Sequence, residues 1–587
     1  MKLVPCLAAL ATLSLALPAA AQTVAPPLRH APAAAARQAV EASSPSVLAL
    51  YLAGNAAAGE GRFDKATDYF ARAASQATGE ARNNLQEQAF QSALQSGDIA
   101  RAAQLAPSFE GGSQGVKQLG QLVTGIDALA SGDNTKAAGI FGGNTVGVQF
   151  RPLAGLLRPW AVAASGDKTL AAPGLPARAD AVTRIVSTYN RALLSEVTGH
   201  DEGIDDAYKE LLARGPDFLE IHYMYSYAAY LERHGRAADA VKIYDQILED
   251  SPDNARAVEA RKRAAARNPK APAPLTAKQG AAQILVTQGM LSVASNDPET
   301  ALWYFWMAVR LDSTRSDAMF LASSIEASMG ATEAARGHFG NIPRTAPEYV
   351  DARISIAETW LAEHNTTEAL KVARQTASRA PRDLSARVSL GSVLSIAGKN
   401  KEAVTAFTQV IRAEGEQASW NLYYARATAY NDLGDWTNTE QDLMKALLLS
   451  PDQPEVMNYL GYMWADRGEH LDQALVLLTK AARARPNQGA IIDSLGWVYY
   501  RMGDIPKAIE NLERAAEMDA ADPSVNDHLG DAYLSAGRKL EAVYQWQRVL
   551  TLQPDDKLKA QVQTKINTHQ PATVASAAPA APAAATP

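Results

Sequence analysis

Small and large apolar positions in the last third of this chain recur about every 34 residues. Small residues stand at Ala427, Gly461, Gly496 and Gly530, in steps of 34, 35 and 34. Leu460, Leu495 and Leu529 adjoin three of them, and an aromatic follows three positions on, at Tyr430, Trp464, Tyr499 and Tyr533. A glycine falls seven after each small residue, at Gly434, Gly468, Gly503 and Gly537. A small residue with a bulky one four later comes next: Ala474 with Leu478, Ala508 with Leu512, Ala542 with Trp546. This spacing predicts two helices and a turn per period, because positions three or four apart share a helical face. Gly503 and Asp504 predict the first helix's end, since glycine readily takes the left-handed cap conformation. Pro506 sits near the start of the second helix, where its missing N–H does no harm. Pro451, Pro486 and Pro554 close units. The recurrent aromatics are read as core filling, and each pair leaves an apolar side that only the next pair can bury.

The pattern resembles the tetratricopeptide repeat (TPR), a helix–turn–helix unit. The fold expected is all-α, a superhelical solenoid of antiparallel helix pairs, in two arrays. The resemblance implies a scaffold that binds partners and does no chemistry of its own.

Weaker copies of the period extend toward the N-terminus. Leu52, Gly54, Gly61, Ala66 and Phe70 form a first unit. Looser units follow over 80–107 and 116–143, the latter with Gly125, Gly132, Ala137 and Phe141. The Gly- and Pro-rich stretch 142–176 continues the array irregularly, with a loop near 165–177. The unit at 218–252 is clear: Ala228, Leu231, Gly235, Ala240 and Tyr244. Pro269, Pro272 and Pro274 then break the pattern and predict a linker over 268–277. The domains expected are a degenerate N-terminal array over 45–267 and a regular C-terminal array over 278–568. The second includes Gly289 with Phe305, Gly391 with Phe407, and a capping helix over 557–568. About twelve units are expected in all. Residues 22–44 and 569–587 are rich in Ala and Pro and read as a disordered leader and tail.

Residues 1–21 read as a secretory signal: Lys2, an uncharged apolar run from Leu3 to Leu17, then Ala19–Ala21 before Gln22. The run is short for a membrane span. Cys6 is the only cysteine and lacks the apolar run before it that lipidation needs, so the mature chain has no thiol chemistry. Location is therefore read as exported, in the periplasm or envelope of a Gram-negative bacterium. Net charge is −7, and removal of Lys2 makes it −8, with 55 basic against 63 acidic residues. No basic stripe appears, which argues against nucleic acid as a partner.

The metalloprotease, nucleophile-elbow, phosphate-loop and dinucleotide-loop motifs are all missing, so no catalytic residue, metal or cofactor is expected. His200, Asp201, Glu202, Asp205 and Asp206 form the densest acidic cluster. Carboxylates suit a hard cation, but this spacing is that of no known calcium loop, and acids also favour a helix start. The informative surface is the concave side, lined by the first helix of each pair. Counting outward from the small residue picks out Tyr424, Asn458, Tyr462, Asp493, Trp497, Arg501, Asp527 and Asp531 as partner-binding candidates. The lining is aromatic and acidic and lacks a basic clamp for a carboxylate, so a basic or aromatic segment fits it. Trp497 and Tyr462 are the expected anchors; packing against neighbouring helices is the other reading of both.

Three segments carry a narrower likeness: Asn458 to Arg467, Ile492 to Arg501, and Asn526 to Tyr533. They look like exported bacterial TPR proteins, some of which are outer-membrane lipoproteins acting as adaptors for a carboxyl-terminal processing protease. That resemblance covers roughly 420–555. It implies an adaptor that presents peptidoglycan hydrolases to the protease; the missing lipidation site departs from those members. The alternatives are an assembly factor for outer-membrane, pilus or polysaccharide-export machinery, an enzyme carrying repeats, or a membrane-associated protein that keeps its signal. Neither 142–177 nor 178–217 is long enough for the catalytic domain an enzyme would need. Oligomeric state is not legible in the sequence.

Overall fold

A computed structural model of the chain describes residues 45–106, 113–167, 180–200, 202–251 and 254–569. The signal and leader segments lie outside the described residues, as does the tail beyond His569. Among the described residues there are 29 α-helices and no strands, so the all-α expectation holds.

The helices run in chain order. The first nine are α1 (Val47–Gly59), α2 (Phe63–Gln76), α3 (Gly79–Gln95), α4 (Ile99–Leu105), α5 (Gln114–Ser131), α6 (Asn134–Gly142), α7 (Gly147–Ala164), α8 (Ala181–Thr198) and α9 (Ile204–Arg214). Then come α10 (Asp217–Arg233), α11 (Ala237–Asp250), α12 (Ala255–Ala264), α13 (Ala277–Ala294), α14 (Pro298–Leu311), α15 (Ser316–Ser328), α16 (Thr332–Asn341), α17 (Tyr349–Ala362) and α18 (Thr366–Arg379). The last eleven are α19 (Leu384–Ile396), α20 (Asn400–Glu414), α21 (Trp420–Asp432), α22 (Trp436–Leu449), α23 (Pro454–Arg467), α24 (Leu471–Ala484), α25 (Gly489–Met502), α26 (Ile505–Met518), α27 (Pro523–Ser535), α28 (Lys539–Thr551) and α29 (Asp556–His569).

A single steric rule builds the pairs. A glycine in the first helix faces a bulky side chain sixteen positions later in the second: Gly54 with Phe70, Gly125 with Phe141, Gly289 with Phe305, Gly391 with Phe407, Gly496 with Leu512, Gly530 with Trp546. A Cβ on any of these glycines would stand only 2.5 to 2.7 Å from that side chain. The bulky partners are almost wholly buried, and each such burial is worth roughly 1.5–3 kcal/mol. Turns follow the sequence reading. Gly468 and Gly503 have φ of +72° and +82°, where a side chain would be strained. Asp504 then caps α26, accepting from the Lys507 amide at 3.3 Å.

The described helices fall into two compact units that divide between Thr376 and Ala377. The division is not at the Pro-rich stretch. Residues 268–276 are indeed non-helical, but α13 and α14 beyond them return to the first unit. There α13 packs on α7 and α8, and α14 on α3, α4 and α5. Trp160 of α7 lies against Gly280 of α13, where a Cβ would meet the ring at 2.2 Å, and Trp306 of α14 lies against Gly97 at 2.7 Å. Lys278 donates to the Ala130 carbonyl at 2.7 Å, and Arg310 pairs with Asp127 at 2.8 Å. A half-buried polar set completes the closure. Gln283 of α13 donates to the Tyr189 hydroxyl at 2.7 Å, sits 2.8 Å from His222 Nε2, and accepts from Arg315. Residues 277–311 thus share one core with residues 79–231. The second unit is an open run of pairs from α19 to α28, closed by α29, which occupies the place expected for the capping helix.

Candidate partner-binding face

In the second unit the first helices α21, α23, α25 and α27 set successive side chains at matching positions. Tyr424, Asn458, Asp493 and Asp527 form one series, in steps of 34, 35 and 34. Tyr462, Trp497 and Asp531 form a second, one helical turn on, and Lys565 of α29 continues it at the same interval of 34. Because α23 packs on α25 and α25 on α27, the positions on these three helices lie along one face, which Tyr424 of α21 joins through its ring contact with Tyr459.

That face begins with aromatic edges. Trp420 and Tyr424 ring centres are 6.3 Å apart, and Tyr424 and Tyr459 are 5.9 Å apart, both edge-on. All three rings are half-buried. Tyr462, also half-buried, has its ring 6.2 Å from His528. Burial, with Asp466 and Asp493 nearby, pushes the Tyr462 phenol above its ordinary range. Arg501 donates to the Asp466 backbone carbonyl, and its guanidinium is 3.9 Å from the Asp466 carboxylate, which is 58% exposed.

Trp497 is not the exposed anchor expected. It is only 8% exposed, stacked between His528 at 4.1 Å and Tyr500 at 4.8 Å. Its Nε1 has no hydrogen-bond partner among the described residues. The Asn458 Oδ1 is likewise buried and unpartnered among them.

The acids are answered from within the chain. Asp493 is buried, and both its oxygens lie 3.0 Å from His528 Nδ1. Lys565 donates to Asp527 at 2.8 and 3.0 Å and to Asp531 at 2.8 Å. Burial opposes charge on His528, but Asp493, with Asp527 and Asp531 behind it, holds the imidazole above its usual range. Burial and the Asp527 charge push the Asp531 carboxyl up, though Lys565 works against them. Three carboxyls therefore share Lys565 and the His528 imidazole, so part of the acidity that was expected to select a basic partner is answered from within the chain.

The eight residues picked out in the sequence all lie on the first helices α21, α23, α25 and α27, and His528, Lys565 and Tyr459, which adjoin them, are not among the eight. Extending the period past Asp531 would have found Lys565. Nothing local marks His528, whose partner Asp493 lies one period back. Away from this face, Asp205 of the acidic cluster turns to Arg236 at 2.7 Å and to the Tyr227 hydroxyl at 2.6 Å, and Asp201 lies outside the described residues. Among the described residues no group of three or more His, Cys, Asp or Glu could hold a metal ion, and no helix is long and apolar enough to cross a membrane.

The tetratricopeptide repeat family model matches residues 206–255 and 494–557. A TPR repeat-containing protein of Pseudomonas aeruginosa is 35% identical over 111 residues, which are 19% of this chain and 19% of that one. A BBSome complex member of Bos taurus is 25% identical over 158 residues, 27% of this chain and 30% of its own. The match thus spans less than a third of either relative. Among solved structures, a thermophilic TPR protein of Thermus thermophilus is 23% identical, covering 32% of this chain and all of its own, with a TM-score of 0.28. The APC/C hetero-tetramer of Cut9 and Hcn1 covers 92% of both chains at 13% identity and a TM-score of 0.38. The likeness to the tetratricopeptide repeat therefore rests on residues 206–255, from α9 to α11, and on residues 494–557, from α25 to α28.

Proposed function

We propose that this protein is a non-catalytic scaffold whose second unit binds an extended segment of a partner protein along α21, α23 and α25. The observation that carries this reading is the row of half-buried aromatics Tyr424, Tyr459 and Tyr462, ending at the exposed Asp466 carboxylate. Large rings offer contact area at low entropic cost, and a partly open ring still has surface to bury. In the first unit the chain's own α13 and α14 cover α3, α5, α7 and α8, which favours the second unit as the partner's place.

The finer reading is an exported adaptor of the bacterial envelope that presents peptidoglycan hydrolases to a carboxyl-terminal processing protease. It is supported by the signal-like N-terminus and by the likeness of residues 420–555 to such adaptors. Affinity capture of the tagged protein from its native envelope tests it. Recovery of a processing protease with wall hydrolases supports the adaptor. Recovery of outer-membrane, pilus or polysaccharide-export components without a protease rejects it in favour of an assembly factor.

A further inference from the structure

Helix α29 stands where the first helix of another repeat would stand and packs on α28. Only Val562 and Ile566 are buried in it, against four residues in α28 and eight in α27. Among the described residues its one strong polar contact to another helix is made by Lys565. That ammonium enters the partner-binding face in register with Tyr462, Trp497 and Asp531, and grips two carboxylates one helical turn apart on α27. It is 28% exposed, and Asp527 and Asp531 are 12% and 18% exposed, so the three lie at the edge of the face.

Charge at this end is unbalanced. Asp493, Asp527 and Asp531 are three carboxyls that face one lysine, Lys565, and one imidazole, His528, which Asp493 draws toward its charged form. The ring centre of Trp546 lies 5.7 Å from the Lys565 ammonium, but the ring is fully buried against Gly530 and serves the chain's own lysine. A lysine or arginine of a partner segment would find the Asp527 and Asp531 carboxyls there, once Lys565 gives way.

We infer that α29 is a self-inhibitory latch: Lys565 occupies in cis the subsite for a cationic side chain of the bound partner segment, and the partner displaces it. This rests on the partner-binding reading of the second unit. It differs from ordinary end-capping in one respect. A cap that serves only to cover apolar surface would give up nothing when a basic ligand arrives, whereas a latch competes with that ligand for Asp527 and Asp531.

The test uses the full-length protein as wild type, Lys565→Met, Lys565→Arg, and Lys565→Met combined with Asp527→Asn and Asp531→Asn. Methionine keeps an apolar stem without the charge. Hydrogen exchange reports on α29, and fluorescence anisotropy reports binding of a labelled eight-residue peptide of alternating lysine and tyrosine. The latch predicts lost protection in α29 but not in α27 or α28 for Lys565→Met. It also predicts about ten-fold tighter peptide binding, as expected for freeing a partly buried ion-pair site, restored to the wild-type value by Lys565→Arg and abolished in the triple variant. Unchanged protection of α29, or equal affinity of wild type and Lys565→Met, overturns the latch. If that equal binding is lost on Tyr462→Ala, the partner-binding face stands while the latch falls. Peptide bound by none of the variants overturns the latch and the basic-segment form of the partner-binding reading together.

Discussion

At the residue scale, the fold is governed by close approach. A Cβ on Gly496 would lie 2.7 Å from Leu512 Cγ and 3.1 Å from its amide nitrogen, so a larger side chain must push α25 away from α26. Gly496→Leu should therefore lower stability by at least about 1–3 kcal/mol, read from urea denaturation followed by hydrogen exchange in α25 and α26. An unchanged midpoint would show that the register is wrong. These glycines were legible in the sequence because their demand is steric and local. The fate of Trp497 was not. Its exposure depends on His528, one period away, and a repeat template marks the position as outward whatever stands there. Two histidines, His528 buried and His222 half-buried, give opposite pH responses. His528 is held above its ordinary pKa of 6.5 by Asp493, Asp527 and Asp531. Its contribution to the second unit is full below 6.5 and fades as pH rises through the higher folded value. Burial, with Arg315 adding to it, lowers His222 to about 3. It is neutral in the folded first unit, which should lose on the order of 4 kcal/mol as pH falls from 6.5 toward 3. Denaturation at stepped pH, with His528→Gln and His222→Gln, checks both. A variant whose pH slope matches wild type would show that its histidine is not the titrating group.

At the scale of elements, the helix pairs were legible and their long-range packing was not. The period shows that α13 must pair with α14, since Gly289 and Phe305 announce it. It says nothing of Trp160 meeting Gly280, or Trp306 meeting Gly97, because those contacts join segments far apart in the chain. The degenerate N-terminal units now have a physical reason: their side chains pack against α13 and α14 as well as against the next pair. Trp160 is fully buried and donates to Asn190 at 2.7 Å. Trp160→Ala should cost about 3–5 kcal/mol and raise hydrogen exchange in α7 and α13 together. Loss of protection in α7 alone would contradict the shared core.

At the scale of the whole molecule, the three prolines near 268–277 looked like a boundary, yet the compact units divide at 376/377. Proline reports a local break in helix, not where a core ends. The division of labour follows from how each unit uses its inner helices. The first unit covers α3, α5, α7 and α8 with its own chain, and the second leaves Tyr424, Tyr459 and Tyr462 half-buried along α21 and α23. The most direct test of the account places a photoreactive phenylalanine analogue at Tyr462 or at Leu540. Leu540 is 68% exposed and lies on the second helix of the last pair. Irradiation of the full-length protein in its native cells should trap a partner from position 462 and none from 540. Trapping from 540 with none from 462 would contradict the claim that partners bind along the first helices of the second unit.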